Sequence, residues 1–122
     1  MKLIIAGGRD YQLTKDDVLA LNDLFSELEI TEVVHGGAPG ADRGGKEWAK
    51  HTKFHRASNL VITEFKADWE KYGKAAGPIR NKQMAKYANL VVLFPGGRGT
   101  ASMHREATKA GLTIYDWRKL KQ

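Results

Sequence analysis

A three-layer α/β domain, with a mostly parallel sheet of about five strands and helices on both faces, is what this sequence predicts, and three observations carry the expectation. Short apolar runs alternate with longer stretches of helical periodicity, the pattern of strand, crossover helix and next strand. The runs Leu3-Ile4-Ile5-Ala6 and Leu90-Val91-Val92-Leu93-Phe94 lack the polar alternation of a half-exposed strand, as strands covered on both faces should. Three of the runs stop at glycine-rich turns, at Gly7-Gly8, Gly36-Gly37 and Gly96-Gly97, where a strand must hand over to a helix in little space.

The first strand is Leu3-Ile4-Ile5-Ala6. Thr14 then stands where an N-cap belongs, with Asp17 three residues on, and Val18, Leu21, Phe25 and Leu28 recur at helical spacing. Glu32-Val33-Val34-His35 forms the second strand. In the helix after it, Ala41, Gly45, Trp48 and Ala49 mark one face, with Trp48 expected in the core. Leu60-Val61-Ile62-Thr63 reads as the third strand. The stretch around Trp69 and Tyr72 reads as irregular, and residues 77–87 form a helix with Pro78 in its first turn, where a missing N–H matters least. The fourth strand, Leu90 to Phe94, is the clearest in the chain and runs straight into Pro95-Gly96-Gly97. A helix over residues 100–110 follows and ends at Gly111, the residue that best closes a helix in the left-handed conformation. Thr113-Ile114-Tyr115 completes the sheet, and Arg118-Lys119-Leu120-Lys121-Gln122 is a basic tail.

At 122 residues the chain holds one hydrophobic core of ordinary size and hence one domain. Its hydrophobic fraction of 42% and charged fraction of 28% belong to a globular protein and not to a disordered one. There is no cysteine, which excludes a disulfide scaffold, a thiolate metal site and cysteine nucleophilic chemistry, and fits a cytoplasmic location. No apolar run approaches the length of a membrane span, so no membrane partner is expected. His35, His51, His55 and His104 do not fall at metal-ligand spacing with carboxylates, and neither a metal nor a cofactor is expected. Ser58 and Ser102 have no nucleophile elbow around them. Twenty Lys and Arg against fourteen Asp and Glu give a net charge of +6, which favours an anionic partner.

In an open parallel sheet the C-terminal ends of the strands share one edge, so the loops beginning at Gly7, Gly36 and Pro95 should meet in space. Glycine removes the Cβ and lets backbone N–H groups approach an anion, and a helix N-terminus adds partial positive charge. Neither long loop is a P-loop or a dinucleotide fingerprint, because no Gly-Lys-Ser/Thr and no Gly-x-Gly-x-x-Gly occurs there. The candidate ligand-binding residues are therefore Gly7, Gly8, Arg9 and Asp10 after the first strand, then Gly36, Gly37, Ala38, Gly40 and Asp42 after the second. Pro95, Gly96, Gly97, Arg98, Gly99 and Thr100 form the third group. N–H groups near Gly97, Gly99 and Thr100 are expected to receive a phosphate, with the Thr100 hydroxyl as a further donor. Asp42, near a helix start, has the chemistry either to cap backbone N–H groups or to accept from a ribose hydroxyl. Arg9 and Asp10 either pair with each other or line the pocket.

Four segments together resemble the SLOG superfamily, and within it the small YspA/YpsA-related branch. They are Ala6-Gly7-Gly8-Arg9-Asp10, Gly36-Gly37-Ala38-x-Gly40-Ala41-Asp42 with Trp48-Ala49, the stretch from Ala67-Asp68-Trp69 through Tyr72-Gly73-Lys74 to Ala76-Gly77-Pro78-x-Arg80-Asn81, and Pro95-Gly96-Gly97-x-Gly99-Thr100. The resemblance implies a Rossmann-like fold that binds nucleotides or nucleotide-derived molecules, and it implies a homo-oligomer, dimer or higher. It adds Trp69, Arg80 and Asn81 to the candidate site. Trp69, like Tyr72, has an aromatic face suited either to stacking on a base or to ordinary packing, and Arg80 a planar fork suited either to phosphate oxygens or to a surface salt bridge. Members include phosphoribohydrolases, a DNA-binding recombination mediator and sensor domains for ADP-ribose-type or NAD-type signals. The phosphoribohydrolases carry Pro-Gly-Gly-x-Gly-Thr-x-x-Glu, and here the glutamate position is Met103. Met cannot transfer a proton, so the expectation leans from enzyme to binding module, one that senses or sequesters an ADP-ribose or NAD derivative. The enzymatic alternative, a phosphoribohydrolase or N-glycosidase, would use Arg80 with Glu106, three residues past Met103. Binding of single-stranded nucleic acid, suggested by the charge, is the least favoured reading.

Overall fold

The computed structural model describes residues 1–118, so the predicted tail residues Lys119, Leu120, Lys121 and Gln122 lie outside the described residues. Five strands form one sheet in the order β3-β2-β1-β4-β5: β1 (Lys2–Ala6), β2 (Glu32–His35), β3 (Val61–Glu64), β4 (Leu90–Leu93) and β5 (Thr113–Asp116). Every pairing is parallel, so the sheet is wholly and not mostly parallel. Each connection between consecutive strands contains a helix, as parallel neighbours require. The helices are α1 (Lys15–Glu27), α2 (Ala41–His55), α3 (Trp69–Tyr72), α4 (Ala76–Tyr87) and α5 (Arg98–Ala110), with a 3₁₀ turn at Gly73–Ala75. The architecture is the Rossmann-like one the sequence predicts.

Side-chain alternation along the central strands divides the core in two. Leu3 and Ile5 of β1, Val33 of β2 and Val92 of β4 face α1 and α2, where they pack with Leu21, Leu24, Trp48 and Ala49. Ile4 and Ala6, Val34, Val91 and Leu93 face the other way, against Met84 and Ala85 of α4 and Met103 and Ala107 of α5. The three inner strands are buried on both faces, while β3 and β5 are the exposed edges. Hence the inner strands read as unbroken apolar runs in sequence.

Helix boundaries follow local chemistry. Thr14 caps α1 by accepting from Asp17 N–H at 3.1 Å, and the Asp17 carboxylate accepts in return from Thr14 N–H at 2.9 Å. Gly111 ends α5 at φ 75°, in the left-handed region. Several predicted boundaries shift by one residue, β4 ending at Leu93 and not at Phe94, and three further differences have a local cause. Trp69–Tyr72, read as irregular, is a helical turn capped by Asp68, whose Oδ1 accepts from Lys71 N–H at 3.1 Å; four residues are too few to show a period. Helix α5 starts at Arg98, two positions before the expected start, with Gly97 as its N-cap and Gly99, which lowers local helix propensity, inside its first turn. Leu60 is buried but precedes β3, its N–H bonded to Ala57 O in a turn at 3.0 Å.

The chain runs outward from β1 to β2 and β3 on one side, then crosses to β4 and β5 on the other. The order of strands therefore reverses between β1 and β4, and the loops leaving those strands open a crevice at the C-terminal edge. Close seating of α2 on β1 sets one wall of it. A Cβ on Gly45 would stand 2.5 Å from Ile5 Cγ2 and 2.9 Å from Ile5 Cβ. Gly45→Ala should thus lower the urea-unfolding free energy by about 1–3 kcal/mol although alanine is the better helix former. An unchanged or raised midpoint would mean that α2 does not lie this close to the sheet.

Candidate functional site

The three glycine loops meet backbone against backbone. Gly8 N–H donates to Pro95 O at 2.8 Å, and Gly8 O accepts from Ala41 N–H at 3.1 Å and Tyr11 N–H at 3.2 Å. A Cβ on Gly8 would lie 2.8 Å from Pro95 O, and one on Gly7 would lie 2.5 Å from Ala41 Cβ. A Cβ on Gly40 would run into the carbonyl oxygens of Gly8 and Arg9, and one on Gly96 into Thr100 Oγ1. Fit alone demands glycine at these four positions.

Gly97 and Gly99 are different. Nothing lies within 4 Å of a Cβ built on either, and neither has a positive φ. They flank the start of α5, whose N-terminus has no side-chain cap, in contrast to the Thr14–Asp17 box on α1. Packing does not call for glycine here; its effect is to leave the first-turn N–H groups of α5 bare where they face the cleft.

That cleft has a volume of about 1280 Å³. Of the sequence-predicted ligand residues, Gly7, Gly8, Arg9, Asp10, Gly36, Gly37, Ala38, Asp42, Trp69, Arg80, Asn81 and the whole of residues 95–100 line it. Gly40 does not; it lies beneath Gly8 and lets the second loop approach the first. Six cations, Arg9, Lys66, Lys74, Arg80, Arg98 and Arg105, border the cleft against two carboxylates, Asp10 and Asp42. Apart from that of Arg80, none of the six side chains has a hydrogen bond or ion pair among the described residues. Arg9 and Asp10 are therefore neighbours on the rim and not a pair.

Two of the expected ligand contacts are committed to the protein. Arg80 Nη1 donates to Gly36 O at 2.8 Å and to Phe65 O at 3.3 Å, and its Nε donates to Asn81 Oδ1 at 3.0 Å. Asn81 Nδ2 in turn donates to Gly99 O at 3.3 Å and Ser102 Oγ at 3.2 Å. A chain of hydrogen bonds thus ties the loop after β2, through α4, to the first turn of α5. The remaining guanidinium nitrogen of Arg80, Nη2, has no hydrogen bond among the described residues. Asp42 is spent on the loop after β2, accepting from Gly36 N–H at 3.1 Å, and does not cap α2, whose N-cap Gly40 has no side-chain partner. His35, buried at the end of β2, accepts from Gly37 N–H through Nδ1 at 3.0 Å, which leaves Nε2 as the protonated nitrogen of the neutral ring. Burial lowers its pKa and keeps it in that form.

Met103 borders the cleft with 1% of its surface exposed and packs from α5 into the core that α4 and the sheet share. Glu106 is not among the residues that line the cleft, and its Oε2 lies 3.9 Å from Lys109 Nζ. Sequence reading did not place Tyr11, Lys66, Lys74, Ser102 or Arg105 in the ligand site, and all five line the cleft. Arg98, Ser102 and Arg105 recur at spacings of four and three, a helical face that was there to be read. Lys66 and Lys74 flank Trp69 in sequence but belong to no period. Tyr11 is held by its hydroxyl, which donates to Asp17 Oδ2 at 2.6 Å, and by stacking on Phe94; its pKa is pushed up to about 12 by burial and by the Asp17 carboxylate.

A family model described as the YspA, cpYpsA-related SLOG family matches residues 1–72. The Gene 61 protein of Mycobacterium phage D29 is 35% identical over 123 residues, spanning 95% of this chain and 95% of its own. No solved structure matches the chain.

Burial pushes the Asp42 carboxyl up to about 6, against the opposing pull of Arg80 and of the Gly36, Gly7 and Ala38 N–H groups. Protonation therefore favours the folded state. The contribution is fully present below the unfolded value and fades as pH rises through the folded one. Between about pH 7.5 and about pH 4.5, wild-type stability should gain roughly 2 kcal/mol relative to Asp42→Asn in urea unfolding. Parallel pH profiles for the two proteins would contradict a buried, protonatable Asp42.

Proposed function

The chain belongs to the YspA, cpYpsA-related SLOG family, and from that premise we propose that it is a binding module that senses or sequesters a nucleotide-derived small molecule, such as an ADP-ribose or NAD derivative. Family membership suggests nucleotide-related binding or enzyme activity in general terms. The observation that carries the narrower reading is the pair Gly97 and Gly99, where the fold leaves room for a side chain and the sequence supplies none. A phosphate seated there accepts from the N–H groups of Gly97, Gly99 and Thr100 at the uncapped start of α5. Arg98 and Arg105 add charge from the same helix, and Arg9 from the loop that Gly8 fastens beside it.

Binding without turnover is favoured by what stands next to that cradle. Met103 has no proton to give, and Glu106 lies off the cleft beside Lys109. Cleavage of a glycosidic bond needs an acid within hydrogen-bonding reach of the leaving group. Incubation with nucleoside monophosphates, NAD and ADP-ribose should leave all of them intact by chromatography. Release of free base that disappears in Glu106→Gln would overturn the reading in favour of an enzyme.

A thermal-shift screen over nucleotides, NAD, ADP-ribose and cyclic dinucleotides should identify at least one stabilising compound, worth about 2.7 kcal/mol at 100-fold above Kd. Gly99→Val should leave the unliganded Tm almost unchanged, because nothing crowds a Cβ there, and should abolish the ligand-induced shift. A shift that survives Gly99→Val would move the phosphate away from α5.

A further inference from the structure

Trp69 is a large apolar side chain that the fold does not use. It begins α3, and neither α3 nor the 3₁₀ turn after it buries a single side chain. The indole is 60% exposed, whereas Trp48 is 6% exposed and Trp117 packs edge-on to Phe94. It is nevertheless held in place at one edge. Its Cη2 and Cζ2 lie 3.4 Å and 4.0 Å from where a Cβ on Gly77 would be, so the benzene edge rests against the start of α4 and the ring borders the cleft. Lys66 and Lys74, on either side of it in sequence, border the same cleft, and neither has a partner among the described residues.

Helix α4 touches both this ring and the first turn of α5. Gly77, against Trp69, and Asn81, which holds Gly99 O, are one turn apart, about 6 Å along the helix axis. A group resting on the indole and an anion on the α5 N-terminus would thus lie in the same cleft, on either side of the first turns of α4. We propose that Trp69 is the platform on which a nucleobase stacks, so that the ligand is a nucleoside phosphate with an intact aromatic base, recognised without strong preference for which base. This deepens the binding reading above and rests on it. Tolerance follows because the ring offers a π face to any base, and the side chains beside it, Lys66 and Lys74, are ammonium donors on flexible stems and not a fixed hydrogen-bonding edge.

Trp69 fluorescence, read against buried Trp48 and half-buried Trp117, gives a direct probe. AMP, GMP and ADP-ribose should each quench the emission and bind about 10- to 100-fold more tightly than base-free ribose 5-phosphate, which should stabilise the protein without quenching. Trp69→Ala should bring the affinity for the three nucleotides down to that for ribose 5-phosphate and leave the latter unchanged. Trp69→Phe should keep most of the nucleotide affinity. If ribose 5-phosphate and the nucleotides bind equally well, or if Trp69→Ala weakens all of them alike, the platform is refuted while the phosphate cradle stands. If none of the four compounds binds, both fail.

Discussion

Gly8 sits between two other loops with no side chain of its own. Its N–H reaches the carbonyl of Pro95 and its carbonyl receives the N–H of Ala41, so the turns leaving β1, β2 and β4 are joined through one residue. The fit leaves no room for a methyl group at 7, 8, 40 or 96. Everything at the C-terminal edge depends on this seating. Without it the loops that lead into α2 and α5 would not both be fastened to the turn after β1. Backbone-to-backbone contact of this kind is rigid, since peptide planes cannot change rotamer to relieve a strain, and rigidity is what a preorganised row of N–H donors requires.

The charged residues divide into those that build the cleft and those that face it. Asp42 and Arg80 belong mainly to the first group. Asp42 is spent on the Gly36 N–H and Arg80 on the Gly36 and Phe65 carbonyls, and burial opposes the charged form of both. Arg9, Lys66, Lys74, Arg98 and Arg105 belong to the second, with no protein partner among the described residues. A rim of unpaired cations raises the local concentration of an anionic ligand, while the N–H groups at the uncapped helix fix its orientation. The net charge of +6 acquires meaning from that placement more than from its size.

Much of this was legible in the sequence because it is local or periodic. The buried runs of β1 and β4, the Thr14–Asp17 box and the Gly111 stop are each specified within a few residues, and the convergence of three glycine turns follows from parallel topology. What escaped depends on contacts between distant segments. That Gly96 and Gly40 serve packing while Gly97 and Gly99 do not cannot be read from a string in which all four look alike. The commitment of Arg80 to Gly36 and Phe65 spans 44 and 15 residues, and carries no local signal. Lys66 and Lys74 come to the cleft through a segment with no period, and the short helix at Trp69–Tyr72 is too brief to announce itself.

The claim that a phosphate rests on the start of α5 is tested most directly by amide resonances. In a titration of the ¹⁵N-labelled protein with ADP-ribose, the N–H signals of Gly97, Gly99 and Thr100 should show the largest displacements, moving downfield as they gain a charged acceptor. If those three stay still while signals elsewhere on the protein move, the ligand is held by another surface and the cradle is not its site.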